Sequence, residues 1–188
     1  QTEDFNNISI QASGKDVQSA NFVTAIVPEN DRLIWIGTYD GLKLYDLVEK
    51  KLLNNNLVNT LSKSNIQVLY KDNADILWIG LRNDLKCIDL KTDKFVPVPS
   101  LLQKTISANP GTIRVIKQDQ KGNIWLGSEQ SVLFYYNAAN NSCINYRYEA
   151  GNMQSLPVNV VRDIFFNEDG HVWLATRKGL SILDPAIH

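Results

Sequence analysis

Apolar residues in this chain come in short runs broken by polar clusters, and the runs recur in a fixed order. Val23–Val27, Leu33–Gly37 and Leu42–Tyr45 form the first set. The order returns as Ile66–Tyr70, Ile76–Gly80 and Leu85–Ile88, then as Ile113–Lys117, Ile124–Gly127 and Val132–Tyr136. It appears once more as Val161–Phe166, Val172–Ala175 and Leu180–Leu183. A weaker fourth run closes the first three sets, at Lys51–Leu53, Lys94–Val98 and Cys143–Tyr148. The middle run always holds a tryptophan: Trp35, Trp78, Trp125 and Trp173, at intervals of 43, 47 and 48 residues. Intervals of this size mark a repeat architecture. The columns around the indoles agree. Nine before stand Ile26, Leu69, Ile116 and Ile164; two after stand Gly37, Gly80, Gly127 and Ala175. Eleven after stand Asp46, Asp89, Tyr136 and Asp184. Asn137 falls one residue late, which predicts a one-residue insertion near Gln130–Ser131.

Runs this short, rich in Ile, Val and Trp and apolar on consecutive residues, predict strands buried on both faces. Turns such as Asp119–Gly122 and Asn167–Gly170 place an Asp or Asn first and a glycine three later, which is tight-turn chemistry. The small residue two after each Trp lets neighbouring sheets approach. In the next turn Gly41 and Gly179 suit a positive φ; Asp84 tolerates one and Ser131 fits it poorly. No stretch has a sustained helical apolar period with caps at both ends. Four short antiparallel strands, repeated, describe a β-propeller blade, so the expected fold is all-β. The units span about 22–53, 66–98, 113–148 and 160–184 of a single domain, 1–188. The last unit lacks a fourth run, and residues 5–11 can supply it as a ring-closing outer strand. Two arrangements stay open: a small closed ring of four blades, or a fragment of a larger propeller. The second exposes two apolar blade faces and predicts a homodimer or strand swapping.

Composition removes several functions. With 188 residues, 44% hydrophobic and 21% charged, the chain reads as one ordinary globular domain. Nineteen Lys and Arg against 20 Asp and Glu give no general attraction to nucleic acid or an anionic membrane. No apolar run approaches the ~18 residues of a membrane span. No basic-then-apolar leader follows Gln1, so the expectation is a cytosolic chain or one already lacking its targeting segment. Cys87 and Cys143 form no zinc or redox motif and are expected to be free, mostly buried thiols. The histidines, His171 and His188, have no metal-ligand spacing, and the Asp119 and Asn167 turns lack the loop of a calcium hand. No catalytic, metal or cofactor site is expected. The four indoles are expected in the core, since their flanks are too apolar for a sugar platform.

Polar chemistry concentrates instead in the turns between the second and third runs: Tyr39-Asp40, Arg82-Asn83, Glu129-Gln130 and Arg177-Lys178. In a propeller these turns lie on the face that commonly binds ligands. Tyr39 can stack on a sugar ring, and Arg82 and Arg177 can hydrogen-bond hydroxyls or carboxylates. The competing reading is solvated hairpin tips. Tyr39, Arg82 and Arg177 are the ligand-binding candidates.

The segments VVRDIFFNEDGHVWLATRKGLSILD (Val160–Asp184) and FVTAIVPENDRLIWIGTYDGLKLYD (Phe22–Asp46) resemble two-component regulator propeller repeats. The shared features are a hydrophobic strand, an Asp-x-x-Gly turn, a Leu/Ile-Trp-Ile-Gly-Thr core and a Gly-Leu pair followed by a terminal Asp. Ser155–Val160 resembles the Ser-Leu-x-x-Asn-x-Val lead-in of such repeats. The second unit departs at Asp75, Leu81 and Asp84, and the third at Ser131. The resemblance implies the periplasmic sensor region of a Bacteroidetes hybrid two-component system, whose histidine kinase and membrane span lie elsewhere in the parent protein. It implies a non-catalytic extracytoplasmic module that responds to an oligosaccharide. The alternatives are a propeller enzyme, quinoprotein or lactonase-like, and a protein-interaction scaffold. Asp89–Lys94 mildly resembles the end of a quinoprotein repeat, but that family places its Trp after such a segment and here Trp78 precedes it. No Trp-Asp dipeptide of WD repeats is present.

Overall fold

The apolar runs become strands. The computed structural model describes residues 8, 10, 22–130 and 132–184. Blade 1 contains β1 (Val23–Pro28), β2 (Leu33–Thr38), β3 (Gly41–Asp46) and β4 (Lys51–Leu53). Blade 2 contains β5 (Val68–Lys71), β6 (Ile76–Gly80), β7 (Leu85–Asp89) and β8 (Lys94–Val96). Blade 3 contains β9 (Thr112–Gln118), β10 (Ile124–Glu129), β11 (Leu133–Asn137) and β12 (Ser142–Tyr146). Blade 4 contains β13 (Val161–Phe166), β14 (Val172–Thr176) and β15 (Gly179–Leu183). Within each blade the strands pair antiparallel in chain order. The fold is a β-propeller of four blades.

Register confirms the alignment of the repeats. Trp35 faces Leu44, Trp78 faces Cys87 and Trp173 faces Ile182, but Trp125 faces Tyr135, one residue further along. That is the expected insertion in the third unit. One turn expectation is corrected: the left-handed residue of blade 2 is Asn83 (φ 61°), not Asp84, whose carboxylate instead accepts the Leu85 N–H. Asparagine is among the few residues that tolerate that region.

Three clusters hold the blades together, and each joins the forward face of one blade to the rear face of the next. Trp35, Leu42 and Leu44 meet Leu77, Ile79 and Ile88. Trp78, Leu85 and Cys87 meet Ile124, Leu126 and Phe134. Trp125 and Leu133 meet Val172 and Leu174. The glycine two after each of these indoles sits where sheets converge. A Cβ on Gly80 would stand 2.5 Å from Val68 Cγ1 and 3.0 Å from Ile113 Cγ2.

Two short helices, which the sequence reading did not anticipate, plug the links. α1 (Asn56–Thr60) is capped by Asn55 Oδ1, which accepts the Val58 N–H at 2.9 Å, and buries Leu57 and Val58 under blades 1 and 2. α2 (Ser100–Ala108) buries Leu102 and Ile106, one turn apart, between blades 2 and 3. Neither shows a long periodic pattern, because one is five residues and the other starts at Pro99 without a side-chain cap.

Blade 4 differs. Its indole is the forward-facing counterpart of the other three, yet among the described residues no blade covers it. Trp173 is half-buried, and Phe165, Leu180 and Ile182 around it are exposed. Ala175, in the glycine column, is exposed as well. The ring-closing segment 5–11 lies outside the described residues except for Ile8 and Ile10. Ile10 packs against Ile36 and Tyr45 on the rear face of blade 1.

Candidate functional site

Each innermost strand carries the same interruption near its start. In β1 the register skips Thr24, in β9 it skips Arg114, and in β13 it skips Arg162. Gln67 holds the same position immediately before β5. A bulge re-aims one side chain out of the sheet's alternation. Here the re-aimed residues are polar and stand eleven before each Trp. Thr24 spends its hydroxyl on the Gly37 and Ile66 carbonyls, at 3.1 and 2.9 Å. Arg114 engages Gln67 of the preceding blade and Glu129 of its own turn.

Isolated bridges tie the turns of blades 1–3 to the chain that leads into the next blade: Gly41 to Ser62, Arg82 to Thr112 and Glu129 to Val160. Glu129 is thus fixed two residues from the Arg162 bulge. Arg114 donates from Nε to Glu129 Oε2 at 2.8 Å and from Nη2 to the same oxygen. Its Nη1 donates to Gln67 Oε1 of the preceding blade. The Arg114 guanidinium holds the Glu129 carboxyl below the usual carboxylate range, and the charges of Arg162 and Arg177 pull it the same way. Arg114, Glu129 and Arg162 line a cavity of about 330 Å³.

The expected ligand residues occupy the turns as the strand pattern implied. Tyr39 stacks on Phe22, with centroids 4.3 Å apart and planes at 12°. One ring face of Tyr39 is therefore taken, and the exposed ring of Phe22 extends the platform. Arg82 is exposed in the blade 2 turn. Arg177 is exposed in the blade 4 turn and contributes to the field at Glu129. Arg177 is not among the residues that line the cavity of Arg114, Glu129 and Arg162. No hydrogen bond or ion pair among the described residues joins Tyr39 or Arg82 to them. Gln67, Arg114, Glu129 and Arg162 were not singled out as ligand residues from sequence. The available signal was the polar column eleven before the indoles.

Two other concavities have simpler explanations. A groove of about 380 Å³ runs between β12, the 147–156 link and β15. It borders the edge of β15, which pairs with no fourth strand among the described residues, whereas blades 1–3 carry one there. A cleft of about 240 Å³ at the opposite end lies between the Asp119 and Asn167 turns. Asp119 is fully engaged there, accepting the Lys121 and Asn123 N–H groups, the Asn123 amide and the Trp125 indole. Asn167 Oδ1 accepts the His171 N–H at 2.8 Å, which makes His171 a hairpin residue. His188 lies outside the described residues. Cys87 and Cys143 are free, buried and half-buried, and burial pushes the Cys87 thiol up to about 12.

Fold and site together define a β-propeller whose polar chemistry gathers on the face of the β2–β3-type turns. Residues 107–130 and 155–178 match the two component regulator propeller model. No curated protein matches the chain in sequence. Among solved structures, the extracellular domain of BT3049 from B. thetaiotaomicron, described as part of a hybrid two component system, superposes with a TM-score of 0.65 at 22% identity over 84% of this chain. The chain spans 19% of that domain. The computationally designed protein Ika4 superposes with a TM-score of 0.60 at 15% identity, over 95% of this chain and 98% of its own. Streptogramin B lyase superposes with a TM-score of 0.51 at 16% identity, over 85% of this chain and 53% of its own. These likenesses establish the fold. Among the described residues no helix is long and apolar enough to cross a membrane.

Proposed function

We propose that this chain is a non-catalytic extracytoplasmic sensor module of a hybrid two-component signalling protein, and that it responds to an oligosaccharide in the periplasm. One observation carries the reading. The two segments that match regulator propeller repeats contain Arg114, Glu129, Arg162 and Arg177, the charged group on the turn face. Family and candidate site therefore coincide in the sequence. The polar residues there are suited to hydrogen-bonding a sugar, and the Phe22–Tyr39 pair supplies a stacking surface at the same end of blade 1. Their mutual arrangement contains no nucleophile–base pair of the kind a hydrolytic enzyme uses.

In the isolated chain a second copy covers the forward face of blade 4. The support is internal: the three equivalent faces of blades 1–3 are each buried against a blade of the same repeat.

The reading is tested by calorimetric titration of the chain, within its parent ectodomain, against a panel of polysaccharide-derived oligosaccharides. Saturable binding to one member is expected. Flat titrations throughout, together with turnover of any panel member, contradict it.

A further inference from the structure

The cavity on the turn face is unevenly charged. Two guanidinium groups and one carboxylate line it, and a third guanidinium, Arg177, acts on that carboxylate. Arg114 and Glu129 neutralise each other through two hydrogen bonds. Among the described residues Arg162 and Arg177 have no side-chain hydrogen bond and no ion pair within 4 Å. The nearest acid in sequence, Asp163, accepts the Ile164 N–H and is not part of the cavity wall. The other acids of the turn face are already paired: Asp40 with Lys43 at 3.7 Å and Asp84 with Lys86 at 2.9 Å.

The positions are built, not incidental. Arg114 and Arg162 occupy the bulge in two successive innermost strands, and the Glu129–Val160 bridge sets the carboxylate between them. A planar guanidinium fork matches a flat or tetrahedral oxyanion. A volume of about 330 Å³ lies at the small end of ligand pockets, of the size that admits a small group rather than a long chain.

We infer that this cavity is a subsite for an oxyanion carried by the saccharide, a carboxylate or a sulfate ester, with Arg162 as its donor and Arg114 held in place by Glu129. The inference rests on the turn face being the ligand face and adds the chemical class of the ligand. Uronate-bearing or sulfated glycans are then preferred over neutral ones.

The test is titration calorimetry of the full chain with galacturonate, galactose 6-sulfate and galactose, at low and high salt. At least one of the two anions is expected to bind about tenfold or more tightly than galactose, with the advantage shrinking at high salt. R162Q is expected to weaken that anion about tenfold, the size of one lost charge-assisted hydrogen bond. E129Q removes the internal competitor and releases Arg114, so it is expected to tighten the anion several-fold. A merely damaged fold gives no such gain. Sulfate binding without uronate binding assigns the ester, and the reverse assigns the carboxylate. Equal affinity for galactose and both anions, or no effect of R162Q, overturns the inference and leaves the oligosaccharide reading standing. No binding by any of the three overturns the inference, and the oligosaccharide panel then decides the wider reading separately.

Discussion

Asp72 Oδ2 accepts the indole N–H of Trp78 at 2.7 Å, six residues further along the chain. Its other oxygen accepts the Ala74 and Ile76 N–H groups, so one carboxylate shapes the hairpin and satisfies the buried ring. Asp119 does the same for Trp125 at 3.0 Å. At the matching position of blade 4, Asn167 leaves the Trp173 Nε1 atom without a hydrogen bond among the described residues. Charge-assisted hydrogen bonds of this kind contribute about 1.5–3 kcal/mol. A double-mutant cycle of D72N and W78F, read by urea unfolding, is expected to return a coupling energy in that range. Additive effects would show that the bond contributes nothing beyond each residue's own packing.

Gly80 separates two side chains that leave no space for a methyl group. G80A is expected to destabilise by about 1–3 kcal/mol through overpacking. Ala175, in the same column of blade 4, is exposed, so A175V is expected to be near neutral. A comparable loss at both positions would mean that blade 4 packs like the others.

Asp46 is buried at the β3–β4 turn and receives Arg32 Nε at 2.8 Å and the Val48 and Glu49 N–H groups at 2.9 Å. The Arg32 hydrogen bond, with help from those amides, lowers its carboxyl to about 2. A carboxylate depressed in the folded state contributes stability above its unfolded value, near pH 4, and that contribution disappears as the pH falls through about 2. D46N is expected to be less stable than the parent at neutral pH, and the gap is expected to close between about pH 4 and pH 2. Denaturant melts across that range check it. A gap that stays constant would place the effect in packing.

The forward face of blade 4 exposes Phe165, Leu180 and Ile182 around a half-buried Trp173. The isolated chain is expected to self-associate through it. Sedimentation velocity is expected to show a concentration-dependent dimer that I182K returns to monomer. A monomer at all concentrations, or a dimer untouched by I182K, removes this face as the contact.

Much of the fold was legible because the repeat states it four times. The Trp and Gly columns fixed the strands, the blade order and even the extra residue of the third hairpin. The helices were not legible, since Leu102 and Ile106 make one apolar step and α1 is a single turn. The site was half legible. Tyr39, Arg82 and Arg177 follow from turn position alone. Arg114 and Arg162 face the cavity only because a bulge turns them there, and a bulge is a property of pairing register that a single strand's sequence does not display. The Phe22 partner of Tyr39 depends on how the entry to β1 folds back on the turn.

The central claim is that the face bearing the β2–β3-type turns receives the ligand. Backbone amide shifts measured by NMR during titration with an oligosaccharide that binds test it most directly. Changes are expected at Gln67, Arg82, Arg114, Glu129, Arg162 and Arg177, with little at the opposite end. Changes centred on the Asp119–Asn123 and Asn167–His171 turns, leaving the bulge residues unmoved, would contradict the account.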